Sequence, residues 1–102
     1  MITITFKSED GMCSGFDAVG HAGYGPEGQD IVCAAVSALT QGTISAIKEL
    51  SLSESEMSCQ SGNLRLRVRS PDKAAMILLA GLETALQDLQ AEYGAYLTVC
   101  HG

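Results

Sequence analysis

A chain of 102 residues, 46% of them apolar, makes one small domain around one core, which excludes a cofactor domain beside a separate substrate domain. Twelve acids against six bases give a formal charge of −6, and three of the bases are gathered at Arg65, Arg67 and Arg69. That balance argues against non-specific nucleic-acid binding, which depends on neutralising phosphates, and favours basic or neutral partners.

Ile2, Ile4 and Phe6 alternate with Thr3, Thr5 and Lys7, the period-two pattern of a strand with one buried face. After the turn signal Ser8 to Gly11, the run Met12 to Gly20 alternates Ser14, Phe16 and Ala18 against Gly15, Asp17 and Val19, and returns as the hairpin partner. From His21 to Gln29 the chain is too rich in glycine and proline for a helix or strand, so a mobile loop is expected. Asp30 opens a helix reaching about Leu50, with Val32, Val36, Leu39 and Ile47 at helical spacing and Gly42 as its weak point.

Residues 51–63 are polar and serine-rich; across the Ser61-Gly62-Asn63 turn signal, Leu64, Leu66 and Val68 alternate with the three arginines, giving a second hairpin. Ser70 and Pro71 suit an N-cap and a first helical residue. The stripe Met76, Leu79, Leu82, Leu86, Leu89 and Tyr93 predicts a second helix ending at Gly94, and Ala95 to His101 reads as a closing strand. The order β-β-α-β-β-α-β predicts an α+β two-layer sandwich, a mainly antiparallel sheet with both helices on one face. The opposite face then needs cover, which a homodimer would supply.

Cys13, Cys33, Cys59 and Cys100 show no close spacing of the kind metal knuckles or redox dithiols use, so no metal is expected. The N-terminus has neither a basic start nor an apolar run, and no stretch reaches the roughly 18 apolar residues of a membrane span. A cytoplasmic protein with reduced thiols is the expectation.

The chemistry concentrates between Gly20 and Leu39, where one histidine, one cysteine and a run of glycines share a strand–loop–helix junction. A cysteine on a helix most often serves as a small hydrophobe. Cys33, however, lies roughly 100° from the centre of the apolar arc, with Asp30 and Ser37 within about 60° of it on the same flank. It also falls in the first turn, where free amides and the dipole favour an anion, so a thiolate is the expected nucleophile. His21 precedes the loop, which is long enough to fold back and bring an imidazole base to that sulfur. His101 has only the neighbouring Cys100 in its favour. Cys13, Cys59 and Cys100 read as structural. The three arginines read as a solvated face, with contact to an acidic surface such as ribosomal RNA as the lesser reading.

A rival signal is Gly23-Tyr24-Gly25-Pro26-Glu27-Gly28, a literal G-x-G-x-x-G between a strand and a helix. A nucleotide site there is opposed by Glu27, which sets a charge among the glycines, and by a domain too short for a second half. A further rival is a non-catalytic ribosome-associated binding module using the loop and the arginine strand.

Gly20-His21-Ala22 followed by Asp30-Ile31-Val32-Cys33-Ala34-Ala35-Val36-Ser37-Ala38-Leu39 resembles the ribosomal-processing cysteine protease family, Prp. The resemblance implies a cysteine endopeptidase without a cofactor. Its implied substrate is one large-subunit ribosomal protein, number twenty-seven, which loses a short N-terminal extension after an aromatic residue during ribosome assembly. It further implies a homodimer and a loop that orders over substrate. His21 takes the family's base position and Cys33 its nucleophile position, with Gly20, Asp30 and Ser37 at the remaining motif positions. Amides at the start of the first helix are then expected to hold the oxyanion, Asp30 to orient His21 or stabilise its charged form, and Ser37 to hydrogen-bond within the site.

Overall fold

The computed structural model describes residues 1–102 and places five strands in the order β3-β4-β2-β1-β5. The elements are β1 (Ile2–Glu9), β2 (Met12–Gly20), α1 (Ile31–Leu50), β3 (Ser55–Gln60), β4 (Asn63–Val68), α2 (Lys73–Tyr93) and β5 (Leu97–His101). Three of the pairings are antiparallel; β5 joins β1 in parallel, so the sheet is mixed. The α+β sandwich holds.

The alternation read from β1 is the burial pattern itself. Ile2, Ile4 and Phe6 are buried, and Phe16, Leu66, Val68 and Leu97 join them on the same sheet face. Val32, Val36, Ile44 and Ile47 of α1 and Ala75, Leu79, Leu82 and Leu86 of α2 close the core from above. Each such aliphatic side chain contributes about 1.5–3 kcal/mol relative to exposure. Measured by length and composition alone, α1 is apolar enough to cross a membrane, but its Val32, Val36, Ile44 and Ile47 stripe is the lid of this core. Gly42 does not break the helix: it faces open space, where the missing side chain costs propensity and no packing.

The outer sheet face is polar. Arg65 and Arg67 both reach the Asp17 carboxylate, at 3.2 and 2.8 Å, and Arg69 lies 3.5 Å from Glu54. The three arginines are therefore held by acids of the same chain.

The start of α2 departs from expectation. Ser70 takes a left-handed conformation (φ 47°) and the cap is Asp72, not Ser70. The Asp72 carboxylate accepts from the Ala75 N–H, the Ser51 hydroxyl and the Leu52 N–H at 2.7–2.9 Å. One aspartate thus caps α2 and ties down the segment that leaves α1, which a serine at position 70 has too short a reach and too few acceptor sites to do. The closing strand also starts later, at Leu97, because Ala95 and Tyr96 complete a turn in which the Tyr96 N–H donates to the Tyr93 carbonyl.

Candidate active site

β2 and β3 both run toward the same end of the sheet, since each pairs antiparallel with β4 between them. Three segments converge there: Gly20-His21-Ala22 leaving β2, the Ser61-Gly62 turn leaving β3, and the first turn of α1. Gly20 makes the approach possible. It sits at φ +100°, a β-carbon there would collide with the Met1 carbonyl oxygen, and its N–H donates to the Gly62 carbonyl at 2.9 Å.

His21 is exposed, and its backbone is held by the Met1 nitrogen, which donates to the His21 carbonyl at 2.6 Å. Its ring lies over Gly62, where a β-carbon would come within 3.0 Å of Nε2. Cys33 is partly buried, and its sulfur accepts the Ala22 N–H at 3.4 Å. The residue after the histidine thus touches the cysteine sulfur directly.

Two clefts meet at this point. The smaller, about 250 Å³, lies between α1 and the β3–β4 hairpin; its walls include Val36, Thr40, Leu64 and Cys59. The larger, about 710 Å³, lies beneath the glycine loop and includes Gly23, Gly28 and Ser61. His21, Cys33 and Ser37 line both, so they form the wall the two clefts share. Gly20 lines the first and Asp30 the second. All five sequence-selected positions are brought to one place.

Asp30 does not do what was expected of it. One carboxylate oxygen accepts the Val32 and Cys33 N–H groups, both at 3.0 Å; the other accepts Tyr24 N–H at 2.9 Å and Gly25 N–H at 3.3 Å. The Cys33 amide, and with it those of Tyr24, Gly25 and Val32, holds this carboxyl below the usual carboxylate range. Asp30 is therefore the α1 cap and the clasp of the glycine loop, and its carboxylate bonds to these four amides and not to His21. Because its carboxylate already engages the Val32 and Cys33 amides, those groups are not free to receive an oxyanion. The same carboxylate stands where a phosphate would have to bind, which removes the nucleotide reading of the glycines.

The loop makes a second set of contacts: the Tyr24 ring sits edge-on to Tyr93 and Tyr96, with centroids 5.7 and 5.1 Å away. Sequence reasoning missed Gly62, Ser61 and Cys59, which read as a turn and a structural thiol. Some 40 residues separate them from His21, and only the strand order reveals their place. Cys13 stays structural, its thiol pushed up by burial and by the Glu83 carboxylate.

The family model for cysteine protease Prp matches residues 1–98. The chain belongs to the Prp family. Its Prp relatives include the ribosomal processing cysteine protease Prp of Staphylococcus aureus strain Mu50, 30% identical over 97 residues, covering 91% of this chain and 92% of that one. The fold superposes on the S. aureus Prp crystal structure carrying a covalently linked product peptide, with a TM-score of 0.94 at 27% identity and full coverage of both chains. It also superposes on the complex of that enzyme with a substrate peptide, at 0.88 and 26%, again with full coverage of both. As a Prp, this chain is a cysteine protease.

Proposed function

We propose that this Prp removes the N-terminal extension of large-subunit ribosomal protein twenty-seven, with Cys33 as nucleophile and His21 as general base. The observation that carries the reading is that His21 and Cys33 line the same two clefts at the mouth of α1. A substrate crossing that shared wall meets the sulfur and the imidazole together. His21 takes the thiol proton as sulfur attacks the scissile carbonyl carbon, and the carbonyl oxygen becomes an oxyanion. His21 then protonates the departing amine, leaving a thioester, which water hydrolyses with the imidazole again as base. The Ala22 N–H, already directed at the sulfur, is the donor we assign to the oxyanion in place of the amides engaged by Asp30. Ser37 shapes the wall one helical turn beyond the sulfur. The enzyme works in the cytoplasm, where ribosomes assemble and thiols stay reduced, and as a homodimer.

The test is to incubate the chain with a peptide spanning the extension and to look for a new N-terminus by mass spectrometry. Cys33→Ala is expected to abolish cleavage with its melting temperature little changed, and His21→Ala to remove fast alkylation of Cys33 at neutral pH. Cleavage by Cys33→Ala at the parent rate would falsify the assignment. Sedimentation of the same samples reports the dimer.

A further inference from the structure

The sheet has two edges, and they are treated differently. On β5 the outward Val99 N–H is taken by the side-chain carbonyl of Gln90, so α2 reaches across the middle of that edge. β3 has no such cover. Its residues Glu56 to Gln60 are exposed, it holds no proline, lysine or bulge, its one charged residue, Glu56, sits opposite Arg67 on the outer sheet face, and Leu52 just before it is 97% exposed. Natural edges are usually blunted by one of those devices, and an open one is a template for another strand.

The hairpin register says which groups are open. A two-residue turn joins Gln60 to Asn63, and at the other end the Arg69 N–H donates to the Glu54 carbonyl at 2.8 Å. In an antiparallel ladder bonded pairs alternate, so Glu54, Glu56, Ser58 and Gln60 turn their backbone groups toward β4. Ser55, Met57 and Cys59 turn theirs outward. The side chains of Met57 and Cys59 share the sheet face of Leu66 and Leu64, beside α1. Cys59 and Gln60 also wall the small cleft that holds His21 and Cys33. The unguarded edge therefore runs into the site.

We propose that the substrate polypeptide binds as an added strand on β3, bonded to the outward backbone groups of Met57 and Cys59, and is delivered by that register to the wall between His21 and Cys33. This rests on the proteolytic reading above, since an endopeptidase must hold its substrate extended. Main-chain pairing would supply affinity while alternate side chains enter the cleft.

The experiment uses the peptide spanning the extension of ribosomal protein twenty-seven and the Cys33→Ala chain, which is meant to bind without cutting. On saturation, the Met57 and Cys59 amides should exchange at least about tenfold more slowly, with Glu56 and Ser58 unchanged. In the active chain, Met57→Pro removes one outward N–H without breaking the inner ladder, a place where edge strands accept proline. Its kcat/KM should fall about fivefold to tenfold, the worth of one neutral hydrogen bond. Peptide binding with unaltered exchange at Met57 and Cys59, or parental cleavage by Met57→Pro, overturns the strand addition and leaves the protease reading standing. Slow exchange at these amides without peptide, in a chain sedimenting as a dimer, gives the edge to a second copy and also overturns it. A parent that neither binds nor cuts this peptide overturns both readings.

Discussion

Asp30 and Asp72 do the same local job in different surroundings. Each caps a long helix by accepting first-turn N–H groups, two for Asp30 and one for Asp72, and each carboxyl is held below its usual range by the bonds it accepts, chiefly from the Cys33 amide for Asp30 and the Ala75 amide for Asp72. They differ in what the rest of the carboxylate holds. That of Asp72 ties Ser51 and Leu52, a connection between two elements of the scaffold. That of Asp30 ties Tyr24 and Gly25, the loop that roofs the larger cleft. Capping is a property of sequence; what a cap does for function is decided by the segment that reaches its second oxygen.

Substitution should separate the two. Asp30→Ala is expected to lower kcat/KM for the extension peptide about tenfold to a hundredfold, because the roof and the Cys33 amide lose their common anchor. Asp72→Ala should leave it within about twofold. Both should lower the melting temperature similarly, by about 4–8 °C for a lost cap in a domain of this size. Equal losses of activity would show that the difference in partners is idle.

Acid tests the shared half of the comparison. A carboxyl depressed in the folded state stabilises it above the ordinary carboxyl value, about pH 4, and the contribution is lost as pH falls toward the depressed value. Amide protection at Tyr24, Gly25 and Leu52 should therefore be equal at pH 7 and pH 5 and fall together below about pH 4 in hydrogen exchange. Earlier loss at Tyr24 alone would mean that another group anchors the loop. The smallest expected effect calibrates the others: Gly42→Ala, remote from both caps and facing open space, should add about 0.5–1 kcal/mol in a denaturant titration and leave cleavage unmoved.

The parts of the molecule legible from sequence are those governed by local periodicity. Ile2, Ile4 and Phe6 declare their buried face, and Val32, Val36 and Ile47 declare theirs, because one side of an element must face the core. The aspartate before Ile31 is readable as a cap for the same reason. Its bonds to Tyr24 and Gly25 are not, since they depend on how a glycine-rich loop folds back. Gly62 beside the His21 ring and Cys59 in the small cleft are invisible for a different reason: β4 lies between β2 and β3, and no local pattern announces that order. Ser70-Pro71 misleads because its local preference is outweighed by Asp72, whose carboxylate serves two segments at once.

The pairing of Arg65 and Arg67 with Asp17, and of Arg69 with Glu54, has a consequence at long range. With its largest cluster of positive charge compensated internally, the chain presents its excess of acids to whatever diffuses toward it. A cationic polypeptide is drawn in faster than an uncharged one, an anionic one is slowed, and the advantage fades as added salt shortens the screening length to about 10 Å at 0.1 M.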